Sequence, residues 1–148
     1  MLQAEEPEII NKILQIPFRI RLGISGSYLI IIAIISLLPK RTFDDVPFFL
    51  HMDKVVHFLM YGGLAALVCW TFNRKNHKPL LYYSIIILLC GGYGILMEIL
   101  QDTIPCLNRS FSWSDAVSNL AGICVSIPVK ERLLPCKLDS LEQTLGHP

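Results

Sequence analysis

Ten residues in this chain have the types and spacing to carry chemistry. Asp53, His57 and Tyr61 recur at intervals of four, so a helix places acid, imidazole and phenol on one face, with Lys54 beside them. Glu98 and Gln101 sit three apart in a second segment, and Arg109, Ser112, Asp115 and Asn119 follow in a third. An imidazole flanked by carboxylates can serve as a general base, so His57, Glu98 and Asp115 are the candidate catalytic groups. The same three could together hold one divalent cation. Arg109 can grip a phosphate through paired hydrogen bonds and Lys54 can add a point charge. Asp53, Glu98, Gln101 and Asn119 offer acceptors and amides suited to sugar hydroxyls.

The elements that must position these groups follow from the composition. Of 148 residues 53% are hydrophobic and only 17% are charged, with a mean hydropathy of +0.51, against roughly 25% charged in a soluble domain. The charges are bunched. None lies between Arg21 and Lys40, between Lys54 and Arg74, or between Lys78 and Glu98. Those gaps match the length of bilayer spans. The expected fold is therefore all-α, a polytopic four-helix membrane bundle. Its spans run over Leu22 to Pro39, about Lys54 to Phe72, and about Pro79 to Gln101, with a fourth opening near Ser110 to Ser112. The last start is forced. The uncharged stretch between Asp115 and Lys130 reaches only roughly 21 Å, short of a ~30 Å core, so Asp115 must sink about one turn below the helix end.

Residues 1–20 are expected to form an amphipathic segment in the interface, with Ile9, Ile10, Ile13, Leu14 and Ile16 at helical spacing. Residues 21–130 form the four-span domain and 131–148 a polar tail. Nine of the thirteen Lys and Arg residues fall on the side of the two termini, which predicts cytoplasmic termini and an extracytoplasmic face for the ten residues above. No removable signal peptide is expected from the acidic start. A net charge of +1 and the lack of a long basic run exclude a nucleic-acid partner. Five cysteines without a C-x-x-C pair indicate neither a zinc motif nor a disulfide framework, and no cofactor is expected.

Each polar residue has an ordinary structural explanation when taken alone. Ser112 with Asp115 resembles a capping box. Ser114, Ser118, Gly122 and Ser126 form a small-residue stripe suited to close helix packing, with Ser118 and Gly122 also able to face a second copy. Gly91, Gly92 and Gly94 would let the third helix approach its neighbours. Jointly these explanations fail. His57, Glu98 and Asp115 are ionisable groups on three helices at similar depth, and such residues face a bundle interior and mark a site.

The pattern Asp53-Lys54-x-x-His57-Phe58-x-x-Tyr61, Glu98-x-x-Gln101 and Arg109-x-x-Ser112-x-x-Asp115-x-x-x-Asn119-x-x-Gly122 resembles the signature of the VanZ-like family over roughly residues 20 to 128. The resemblance implies a small bacterial integral membrane protein of the cell envelope, and the family's namesake is associated with teicoplanin resistance. Three functions fit these residues. One is a site for an anionic lipid or glycolipid headgroup, such as a lipid-linked cell-wall intermediate. The second is an enzyme acting on such a lipid with His57 as base. The third is a structural or accessory subunit whose polar cluster locks the fold.

Overall fold

The computed structural model describes residues 13, 15–39, 52–72 and 79–133, and these are helical with short connections. The helices are α1 (Phe18–Ser36), α2 (Met52–Thr71), α3 (Pro79–Thr103) and α4 (Trp113–Leu133), with a 3-10 turn at Pro105–Leu107 between the last two. Most of the expected interfacial segment, the first two connections and the tail lie outside the described residues.

The first span opens four residues earlier than the charge pattern predicts. Pro17 is the cause. Its carbonyl accepts the amides of Ile20 and Arg21, at 3.0 and 3.2 Å, which draws Arg19 and Arg21 into the helix. Arg21 tolerates this because its guanidinium reaches the carbonyl of Trp70 at 2.6 Å. At the other end of the chain α4 continues to Leu133, past the boundary expected at 130.

Side-chain contacts set the directions. Arg21 at the start of α1 meets Trp70 at the end of α2, and Tyr82 at the start of α3 donates to the carbonyl of Cys69 at 3.1 Å. Both helices therefore run antiparallel to α2. α4 runs parallel to it and packs against it more extensively than any other pair. Glycine makes that approach. A Cβ at Gly122 would collide with the Phe58 carbonyl and come within 3.1 Å of the Gly62 nitrogen. The close packing expected of the Ser118/Gly122 stripe is thus met at Gly122 inside the chain.

Among the described residues three helices, α1 to α3, are long and apolar enough to cross a membrane. Ile30, Leu59, Leu80 and Leu88 lie on the outside of the bundle, an apolar surface too large for water to tolerate and natural for lipid. α4 is less apolar, yet its 21 residues reach roughly 31 Å. Three of its polar groups, Asp115, Asn119 and Lys130, are buried on the same stripe as Gly122, Ile123 and Ile127. The core between the helices holds Ile32, Leu64, Ala65, Cys69, Ile86, Cys90 and Ile123.

Candidate functional site

Parallel packing of α2 and α4 brings two helix N-termini to the same end of the bundle, each with an aspartate in its first turn, Asp53 and Asp115. The antiparallel α3 delivers its C-terminal turns to the same level. His57, Glu98, Asp115 and Asn119 therefore lie within about 10 Å of this end along their helix axes. All four are buried, at 7%, 1%, 8% and 2% exposed.

His57 is the centre. Its Nδ1 lies 3.0 Å from Asn119 Oδ1 and donates its proton there. Glu98 Oε1 is 3.8 Å from the same nitrogen. The other ring nitrogen, Nε2, faces Asp53 Oδ1 at 3.8 Å, too far for a hydrogen bond. The ring lies parallel to that of Tyr61, with centroids 6.5 Å apart. Tyr61 in turn contacts the ring of Tyr93 across to α3. Room for these side chains comes from Gly94. A Cβ there would stand 3.0 Å from Asn119 Nδ2 and 3.1 Å from the Tyr61 ring.

The start of α4 is tied into the cluster. Ser112 Oγ accepts the amide of Asp115 at 3.4 Å, which is half of the expected capping box. The Ser112 amide donates to Glu98 Oε2 at 3.3 Å. Ser114 Oγ donates to Asp115 Oδ1 at 3.4 Å. Glu98 thereby spends one oxygen on anchoring the connector, and Ser112 serves as a cap.

The structure thus brings together Asp53, His57, Tyr61, Glu98, Ser112, Asp115 and Asn119. Gln101 is different. Its amide donates to the carbonyl of Ser36 at 2.9 Å, and the residue is buried. It caps the buried last residue of α1 rather than offering itself to a ligand. Lys54 is half-buried beside Asp53 and makes no ion pair among the described residues. Arg109 is half-buried on the connector, three residues before the cap. Gly91 and Gly92 have no neighbour within 4 Å of an added Cβ, so of the three glycines only Gly94 serves close approach.

A cation could be held here, by a different trio from the one expected. Asp53, His57 and Asp115 present donor atoms that all lie within 4.8 Å of one another. Glu98 stands on the opposite side of the imidazole, next to Nδ1. Sequence reasoning passed over Gly62, Tyr93 and the Ser36 carbonyl. The Gly62-Gly63 pair following Tyr61 was the available signal for a close crossing, and a backbone carbonyl has no sequence signal.

The chain is 26% identical over 132 residues to an uncharacterized protein of the fission yeast Schizosaccharomyces pombe, a match that covers 88% of this chain and 76% of that one. No solved structure matches it. The family model described as VanZ/LLP1 matches residues 6–129. With three apolar spans and a model match over most of its length, the chain belongs to the VanZ family and is a VanZ-like membrane protein.

Proposed function

We propose that the end of the bundle formed by the N-termini of α2 and α4 receives the headgroup of a phosphate-bearing membrane lipid. One observation carries this reading. The Tyr61 hydroxyl, Asn119 Nδ2 and Glu98 Oε1 are buried on three different helices around His57 and have no hydrogen-bond partner among the described residues. Each such atom costs about 1–3 kcal/mol when left unsatisfied, so three in one place call for a polar occupant. Hydroxyls of a glycerol or sugar headgroup would take the free acceptor and donors. Arg109 and Lys54, adjoining the cluster in the chain, would meet the phosphate.

The excess of Lys and Arg on the side of the termini supports an extracytoplasmic position for this end. In a bacterial envelope the headgroup would be that of a lipid-linked wall intermediate, which connects the site to glycopeptide tolerance. A similar chain in a fission yeast favours the broader class, a phosphate-bearing lipid, as the common denominator.

A second reading, a lipid-modifying enzyme, is favoured by the His57–Asn119 hydrogen bond. It occupies Nδ1 and leaves the Nε2 lone pair facing Asp53, the disposition of a general base.

Native mass spectrometry of the full chain in mild detergent separates the readings. Lipid retained by the wild type and lost from Arg109→Ala supports the headgroup site. Lipid converted by the wild type but carried unchanged by His57→Ala supports the enzyme. A protein that retains no lipid in any form overturns both and leaves the polar cluster a structural clamp.

A further inference from the structure

We infer that Asp53, His57 and Asp115 form a site for one divalent cation of the Mn2+ or Zn2+ type, set between the joined N-termini of α2 and α4. Their donor atoms already lie within 4.8 Å of one another. Ligand atoms held about 2.1 Å from a common ion stand roughly 3–4 Å apart. Small rotations of the two carboxylates therefore close the set without moving a helix.

The imidazole is prepared for this role. Asn119 Oδ1 takes the Nδ1 proton at 3.0 Å, which fixes the ring and leaves the Nε2 lone pair as the ligand. Metal-binding histidines are oriented in just this manner, through a hydrogen bond from the nitrogen that does not bind. Among the described residues Nε2 has no hydrogen bond of its own. Asp53 Oδ1 stands 3.8 Å away, too far to accept a proton and suitable for two ligands of one ion.

Glu98 Oε1, on the Nδ1 side, is buried 3.8 Å from the ring without a hydrogen bond among the described residues, so the orienting contact is the one to Asn119. Asp115 is steadied at both its ends, by Ser114 on the carboxylate and by Ser112 on the amide. Two carboxylates and a neutral imidazole carry a charge of −2, which a divalent ion cancels. The nitrogen and oxygen donors favour Mn2+ or Zn2+ over a softer metal. Three protein ligands leave coordination positions open, and Asp53, whose side chain is 63% exposed, provides the way in.

This site needs no lipid, so it stands or falls apart from the headgroup reading. The full-length protein in detergent is stripped with EDTA and dialysed against Mn2+ alone or Zn2+ alone. Bound metal is counted by mass spectrometry, and free Mn2+ is followed by electron paramagnetic resonance. One ion per chain is expected, bound at least about tenfold more weakly by Asp53→Asn, because one of three ligands is gone. Asn119→Leu loses the orienting acceptor and weakens binding by about 10- to 100-fold. Arg21→Met, at the opposite end of the bundle, binds as the wild type does. Asp53 is exposed, so its variant keeps the wild-type melting temperature. Metal well below one ion per chain in folded wild type, or equal affinity in Asp53→Asn, overturns the inference. Lipid retention measured on the wild type and Asp53→Asn reports the headgroup reading independently.

Discussion

Both ends of this bundle bury polar side chains, and they use them in opposite ways. At the end of α2, side chains from the neighbouring helices are spent on backbone. Arg21 Nη1 donates to the carbonyl of Trp70 and the Tyr82 hydroxyl to that of Cys69. Ser25 and Thr71 share a hydrogen bond at 2.7 Å, and Thr71 also donates to the Arg21 carbonyl at 3.2 Å. A helix leaves its last carbonyls without intrahelical partners, and a cation suits its negative end. α1 and α3 together cap α2. The guanidinium also lies 5.8 Å from the centre of the Trp70 ring. At the start of α2 the side chains face one another instead, His57 to Asn119, Asp53 and Glu98. The contrast is one of partners: the first end is a clamp on helix backbone, although Arg21 Nε and Trp70 Nε1 there have no partner among the described residues, whereas the groups around His57 face one another.

The largest expected effect strikes the helix contact on which the His57 end depends and the Arg21 clamp does not. Gly122→Ala drives a methyl group into the Phe58 carbonyl, backbone against backbone, with no side chain to yield. Overpacking costs about 1–3 kcal/mol where side chains can adjust, and this variant should lose at least the upper figure. Thermal melting in detergent checks it. Because Asp53 and His57 stand on α2 and Asp115 on α4, cation binding should fail with it, whereas the Arg21–Trp70 contact joins α1 to α2 and should persist in the folded fraction. A Gly122→Ala protein with wild-type stability and cation affinity would show that the helix contact yields without disturbing the site.

Arg21→Met sharpens the contrast from the clamp side. It keeps the apolar stem against Trp70 and removes a charged donor from a helix-end carbonyl, a loss of about 1.5–3 kcal/mol. The melting temperature should fall while metal count and lipid retention at the other end stay unchanged. Ser112→Ala is the counterpart at the site. Losing the cap of α4 costs about 1 kcal/mol, and it also loosens Asp115, so stability and cation affinity should drop in parallel. A Ser112→Ala protein that melts lower but binds Mn2+ as tightly as before would separate the cap from the site.

Much of this was legible in the residues, unevenly so. The charge-free gaps mark the spans because a bilayer penalises every unpaired charge, and the four-residue ladder from Asp53 to Tyr61 defines a face before any coordinates. Asp115 is buried, but α4 opens at Trp113, after the expected Ser110 to Ser112, so the residue lies in the first turn rather than a full turn in. Gln101 shows where legibility stops: its amide type suits a ligand, but its partner is the Ser36 carbonyl, and backbone acceptors leave no trace in composition. The clamp was hidden for a related reason. Arg21 and Trp70 at span ends look like ordinary interfacial residues, and only the antiparallel pairing of α1 with α2 brings them together. Gly91 and Gly92 are indistinguishable by type from Gly94, yet only the last has neighbours to admit. Helix rotation decides that, and it is set by packing across the whole bundle.

The finest test is a matched pair of tyrosines, one at each end. The Tyr82 hydroxyl donates to the Cys69 carbonyl, so Tyr82→Phe strips a helix-end acceptor of its partner and should cost about 1 kcal/mol. The Tyr61 hydroxyl is buried with no partner among the described residues. Tyr61→Phe removes a desolvated group and nothing it was bonded to, so the lipid-free protein should melt within about 0.5 kcal/mol of the wild type or slightly above it. Lipid retention then gives the discriminating measurement. If a headgroup normally takes that hydroxyl, Tyr61→Phe holds it less well despite unimpaired stability, and Tyr82→Phe holds it fully despite reduced stability. Equal loss of stability in both variants would mean that the Tyr61 hydroxyl is already satisfied by the fold, and that both ends of the bundle are clamps.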